Sequence, residues 1–266
     1  FEEQVGTQLF DRNYVGYQLT PEGHRLMEYA ETMESTVYAA TEELGEHNRL
    51  LSGQVRLGAT EGFGAVVLAP HLAHFCGRYP HISVDLIAVP RFVSLSKREA
   101  DVAISIERPQ SGPYVVTKLS DYRLKLYATP AYLARHATIS SVAELAKHPI
   151  IGYVDDLVFS AELRYMDHVA PDSLRAFRST SVLAQYHAAR AGQALAILPC
   201  FVAQQSTELV PVLDDRIDLQ RAFWMVSPSE RRNIARVSAL WNYLREVIDL
   251  NHGYLMGEES APRWLP

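Results

Sequence analysis

The chain lacks the features that mark several protein classes, and each absence removes one of them. Its 266 residues contain two cysteines, Cys76 and Cys200, far apart and in no C-x-x-C pair. That excludes a disulfide framework or a cysteine zinc site and leaves buried free thiols as the expectation. There is no run of eighteen apolar residues, and the chain opens Phe1-Glu2-Glu3-Gln4 rather than with a basic stretch followed by an apolar one. No membrane span or secretory leader can be read from it, so the soluble cytoplasm is the expected compartment. Catalytic signatures are missing too: no H-E-x-x-H, G-x-S-x-G, P-loop or G-x-G-x-x-G, with Gly62-Phe63-Gly64 only a fragment of the last. The ten histidines are scattered, and His71 and His74, three apart, have no third ligand close in sequence. No metal or other cofactor is expected, and with no carboxylate pair singled out, no enzyme either.

Positive charge is scarce near the N-terminus. The net charge is −6, and residues 1–53 hold three basic residues (Arg12, Arg25, Arg49) against ten acidic ones, a local net of −7 that leaves the other 213 residues near +1. Nucleic-acid affinity rests on Lys and Arg neutralising phosphates, so this acidic stretch cannot be a main DNA-contacting surface.

What is present begins with a pattern. Gln8–Arg12 and Tyr17–Thr20 read as short strands around Asn13-Tyr14-Val15-Gly16, a hairpin signal. Thr20 then stands as a helix cap with Pro21 at the first helical position. Behind them Leu26, Ala30, Met33, Val37, Ala40 and Leu44 repeat at alternating spacings of four and three, the seam of a helix that pairs with another helix. The helix is expected to reach about Leu51, on the order of 45 Å. Such a length with one apolar stripe suits a linker that dimerises. From Gln54 strands alternate with helices: strands at 55–59, 82–89 and 101–106, a helix at 63–79 with Pro70 in its path, then strands at 124–129, 150–154, 176–179, 195–198 and 222–226. This rhythm implies an α/β fold with a mostly parallel sheet. A helix at 236–248 is expected to bury Val237, Leu240, Leu244 and Ile248, while residues 251–266 show no periodicity and read as a loose tail.

Leu9-Phe10-Asp11-Arg12, Leu19-Thr20-Pro21-Glu22-Gly23, Val55-Arg56-Leu57-Gly58, Thr60-Glu61-Gly62-Phe63-Gly64, Arg98-Glu99-Ala100-Asp101-Val102-Ala103-Ile104, Tyr127-Ala128-Thr129-Pro130-Ala131-Tyr132-Leu133 and Ala191-Gly192-Gln193-Ala194-Leu195-Ala196-Ile197-Leu198-Pro199 follow one another in order. With that order and spacing the chain resembles LysR-type transcriptional regulators. The resemblance implies a two-lobed, periplasmic-binding-protein-like effector domain behind a long dimerisation helix and a partial winged helix-turn-helix. Its divisions would be 1–20 for the end of the winged helix-turn-helix, 21–51 for the linker helix, 54–115 with 228–250 for lobe one, 116–227 for lobe two and 251–266 for the tail. The crossings between lobes would lie near Ser111–Leu119 and Ser227–Asn233. It also implies that most of the recognition helix lies upstream of residue 1, which accounts for the acidic start. Arg12 would be the wing's DNA contact, with a surface ion pair to Asp11 or Glu22 as the alternative.

Ligands of open α/β sheets bind beyond the carboxyl ends of the strands. Four such ends supply candidates: Thr60, Glu61, Gly62 and Phe63 after the first strand; Arg91 and Phe92 after the second; Ser105 and Ile106 after the third; Thr180 and Ser181 before the 182–191 helix. Val154, with Tyr153, would form an apolar floor. Thr60 and Ser181 are equally suited to capping their helices, and Arg91 to lying in solvent. Glu61 would repel an acidic effector unless turned away, so the effector's charge stays open. The expected function is ligand-responsive regulation of transcription. Its partners would be double-stranded DNA, a small metabolite, a second copy of the chain in a homodimer or homotetramer, and RNA polymerase, with no membrane. The alternative is a stand-alone two-lobed solute-binding protein, which would have no use for a wing or a dimer seam.

Overall fold

The computed structural model describes residues 1–13, 16–43, 51–89 and 99–266. The first helical turn, Glu2–Val5, stops at Gly6, whose φ of 73° is the left-handed conformation that glycine adopts without strain. Strands β1 (Phe10–Asn13) and β2 (Gly16–Leu19) pair antiparallel, Phe10 opposite Leu19. Thr20 caps the next helix as its sequence implies, its hydroxyl oxygen accepting from the Gly23 amide at 3.0 Å. Gly23 itself is required by a close approach, because a methyl there would overlap the Leu9 carbonyl oxygen. The stem helix runs Pro21–Glu43, 23 residues and about 35 Å. Of its expected seam, Leu26 is half-buried while Ala30, Met33 and Val37 are exposed, Met33 by 66% and Val37 by 57%. Leu44 and the side chain of Ala40 lie outside the described residues.

The remaining strands form one nine-stranded sheet: β3 (Gly53–Thr60), β4 (Ile82–Val89), β5 (Val102–Ser105), β6 (Tyr114–Ala128), β7 (Pro149–Gly152), β8 (Leu174–Arg178), β9 (Leu195–Pro199), β10 (Val210–Val212) and β11 (Leu219–Pro228). Its order is β4-β3-β5-β11-β6-β9-β7-β8, with β10 on β6. The parallel rhythm holds at both ends, where β4, β3 and β5 run together and so do β9, β7 and β8. The middle departs from it. β11 pairs antiparallel along its whole length with Tyr114–Leu124 of β6, with the register shifting between Phe223 and Trp224, opposite Ser120 and Lys118. The segments at 111–119 and 227–233 are therefore largely strand rather than loop: residues 114–119 belong to β6 and residues 227–228 to β11, with a bulge at Leu119. Alternating burial along Ser120–Leu126 gives one reason: a strand that buries alternate side chains is stabilised by its packed face.

The helix beyond β3 also differs from a plain one. Glu61–Phe63 is α, Gly64–Leu68 is wound as π-helix, and Ala69–Arg78 resumes α. The Ala69 amide bonds to the Gly64 carbonyl, five residues back. Pro70 explains this, since it has no N–H and its ring would crowd the carbonyl of Val66 in a tighter helix. Two glycines settle how closely this helix packs: a methyl at Gly64 would meet the Ala88 Cβ at 2.6 Å, and one at Gly62 the Val182 Cγ1 at 2.5 Å.

The Ala235–Leu250 helix buries Val237, Leu240, Leu244 and Ile248 as its spacing implies. Residues 251–266 are not a loose tail. Asn251 is fully buried, donating to the Val247 and Arg263 carbonyls and accepting from the Arg263 amide at 2.7 Å. The Tyr254 hydroxyl donates to the Phe201 carbonyl and accepts from Gln205, both beyond β9, while the Trp264 ring lies 4.7 Å from that of His71 beyond β3. The C-terminal segment thus ties the helix beyond β3 to the segment beyond β9. It is held by isolated anchors, which leave no periodic trace. Of the two cysteines, Cys200 is buried and accepts from the Tyr127 hydroxyl, while Cys76 is half-buried. Among the described residues no helix is long and apolar enough to cross a membrane.

Candidate functional site

Between the lobes, at the carboxyl ends of β3 and β5, lies a cavity of about 50 Å3. The ends of β3 and β5 bring Thr60, Glu61, Gly62, Phe63 and Ile106 to it; the chain between β7 and the segment after β9 brings Tyr153, Phe159, Leu163, Thr180, Val182, Pro199 and Phe201; β6 and β11 bring Tyr122, Leu124 and Phe223. The walls are largely aromatic. Phe63 stacks on Phe223 at 4.0 Å, Phe223 on Tyr122 at 4.2 Å, and Phe201 meets Phe63 edge-on at 5.9 Å. Such offset and edge contacts each add about 0.5–1.5 kcal/mol beyond area burial, so the stack is a stiff floor.

Polar groups hold the lobes together on two sides. The Ser181 hydroxyl, from the N-terminus of the Val182–Arg190 helix, donates to Glu61 Oε1 at 2.9 Å and accepts from the Ala184 amide at 3.0 Å. Ser181 therefore both caps its helix and bridges the cleft. Glu107, just beyond β5, accepts from the Ser160 hydroxyl at 2.5 Å and the Ala161 amide at 3.0 Å on the facing lobe. Hydrogen bonds to an ionised acceptor contribute about 1.5–3 kcal/mol when shielded from water. Glu61 is not turned away from the cleft: its second oxygen, Oε2, is buried with no hydrogen-bond partner. Thr60, in extended conformation, makes no side-chain cap bond. Burial, with the nearby Glu61 charge second, holds the Tyr153 phenol well above its ordinary range, and burial chiefly does the same for Tyr122. Both remain protonated donors at any physiological pH.

The structure gathers Thr60, Glu61, Gly62, Phe63, Ile106 and Thr180 around one cavity, with Ser181 behind Glu61. It does not bring Ser105 or Val154 to its wall. The Ser105 hydroxyl is occupied with the Glu107 amide at 3.1 Å, and Val154 precedes a short 3-10 turn while Tyr153 lines the cavity instead. Arg91 and Phe92 lie outside the described residues, as does the side chain of Arg12. Sequence reasoning missed the contributions of β6, β11 and the segment after β9. One signal was available for the first: Tyr122 and Leu124, two apart on a strand, must share a face. Among the described residues no cluster of His, Cys, Asp and Glu could hold a metal ion.

The family described as "LysR substrate binding domain" matches residues 48–249. The HTH-type transcriptional regulator CrgA of Neisseria meningitidis is 29% identical over 154 residues, 58% of this chain and 52% of CrgA, so the match spans about half the length of that relative. The HTH-type transcriptional regulator PtxR of Pseudomonas aeruginosa is 25% identical over 251 residues, 92% of this chain and 80% of PtxR. Among solved structures, CrgA superposes with a TM-score of 0.67 at 24% identity, covering 93% of this chain and 86% of that one. Full-length AphB, a virulence activator of Vibrio cholerae, gives 0.62 at 19% identity, covering 91% and 85%. At these identities the structures speak for the fold: an α/β, two-lobed regulatory domain behind a long helix.

Proposed function

Since the chain belongs to the LysR substrate-binding domain family, we propose that it is the regulatory part of a LysR-type transcriptional regulator, in which a small effector enters the interlobe cleft and changes how the lobes meet. The observation that carries this reading is the aromatic cavity between lobes, bridged by the Glu61–Ser181 and Glu107–Ser160 pairs and joined to a 23-residue helix with exposed Met33 and Val37. An effector shifts such a system only by as much as it prefers one lobe arrangement. The stem helix, pairing with that of a second copy through Leu26, Ala30, Met33, Val37, Ala40 and Leu44, would carry the change to paired DNA-binding units in a homodimer or homotetramer. RNA polymerase would be the downstream partner and the cytoplasm the compartment. With a charge of −7 over residues 1–53, this 266-residue chain by itself is expected to bind DNA weakly.

A stand-alone solute-binding protein would share the cleft but leave the stem stripe without a purpose. Size measurement separates the two: a dimer or tetramer is expected at micromolar concentration, and a strict monomer would overturn the dimeric regulator. For the cleft, a metabolite that raises the melting temperature should do so less in Thr60→Ala and Ser181→Ala. An unchanged response in both variants would remove these residues from the site.

A further inference from the structure

The cleft chemistry says what kind of molecule fits it, an inference that rests on the effector reading above. Among the described lining residues, Glu61 is the only one with a formal charge, and none is a lysine or arginine. Arg221, whose charge is felt at Tyr122, is engaged by Glu162 at 2.6 Å. Glu61 presents Oε2 buried and without a hydrogen-bond donor, while Oε1 is taken by Ser181. A buried acceptor without a donor is costly, and a ligand that supplies one recovers that cost. An anion would meet a like charge with no described cation to offset it. The same cavity is lined by Phe63, Tyr122, Phe201 and Phe223, whose rings suit a flat apolar ring and an adjoining cation. The Tyr122 and Tyr153 phenols add neutral donors.

We propose that the effector is a small aromatic compound bearing an ammonium or other N–H donor, its ring against the Phe63–Phe223–Tyr122 stack and its nitrogen on Glu61 Oε2. The present free volume of about 50 Å3 is well below the roughly 150 Å3 that holds a benzene ring. The ring therefore enters only as the lobes part at the Gly62–Val182 contact, and the compound binds the opened arrangement in preference to the closed one.

The test uses the full 266-residue chain with three probes that share one ring: benzylamine, benzyl alcohol and sodium benzoate at neutral pH. Calorimetry gives affinities, and the methyl signals of Ile106 and Leu163 report whether a probe lies in the cleft. Benzylamine is expected to bind at least about tenfold more tightly than benzoate and to move both methyls. Glu61→Gln, its fold checked by melting, should abolish the preference. Benzoate binding as tightly as benzylamine with the same methyl shifts, or a preference that survives Glu61→Gln, would overturn the ligand class and leave the cleft as the effector site. Failure of every probe to move those methyls at millimolar concentration would overturn both.

Discussion

Single side chains decide how near the lobes can come. Gly62 meets Val182 so closely that a methyl would sit 2.5 Å from its Cγ1, and Ser181 bridges to Glu61 within the same patch. Gly62→Ala is expected to hold the lobes apart with little loss of stability. Small-angle scattering should show a larger radius of gyration, and a chain of unchanged size would show that Val182 simply moves. Gly64→Ala differs because its neighbour, Ala88, stands on a sheet strand and cannot yield: overpacking should cost about 1–3 kcal/mol in urea unfolding. Ser181→Ala removes a helix cap and a cross-lobe bond together, with an expected loss of about 1–2 kcal/mol by the same measurement.

At the scale of elements, the stem helix carries the clearest consequence. Met33 and Val37 stand one turn apart on an exposed face, and large apolar side chains in such a row are solvated at a cost unless another surface covers them. Replacing both by Lys should shift the assembly toward monomer in sedimentation while leaving the unfolding of the sheet domain unaltered. Loss of the sheet domain's cooperative unfolding would show instead that the stripe supports the chain's own fold. The Glu61–Arg78 stretch shows how one proline is absorbed: the π-helical segment before Pro70 spares the backbone a break and keeps Phe63, Val67 and Phe75 buried on the sheet.

Across the whole molecule the C-terminal segment ties the helix beyond β3 to the segment beyond β9. Trp264 covers His71, whose ring is fully buried with neither nitrogen hydrogen-bonded. Burial first, and the neighbouring His74 second, lower its pKa from the ordinary value of 6.5. The unfolded chain therefore binds a proton there more readily than the folded one, and stability falls as pH drops through about 6.5 toward the lowered value, then levels off. His71→Phe should flatten that loss relative to the parent in melting curves taken between pH 7.5 and 5.5. His148, lowered mainly by burial, contributes a similar slope that the variant retains. An identical pH dependence in parent and variant would mean that His71 finds a proton acceptor when charged.

Much of the architecture is local and was therefore legible in the sequence. Alternation placed strands where β3, β4 and β9 stand, the apolar stripe of Val237, Leu240, Leu244 and Ile248 sent one helix face inward, and the Thr20-Pro21 pair started the stem. Each of these rests on neighbours within a few residues, so periodicity and capping chemistry suffice. The cleft rests on partners far apart in the chain. Glu61 bonds to Ser181 across 120 positions, Glu107 to Ser160 across 53, and Tyr122 reaches the cavity because β6 continues through a segment that reads as a hinge. The C-terminal segment is held by Tyr254 and Trp264, whose partners lie on other elements, and by Asn251, which bonds to Arg263 twelve residues on. Strand ends could nominate Thr60 and Ser181 from sequence alone, because backbone geometry there is local. Which groups face one another across the gap, and which carboxylate oxygen is left without a donor, depended on the sheet order and on the approach of two lobes, which no local pattern encodes.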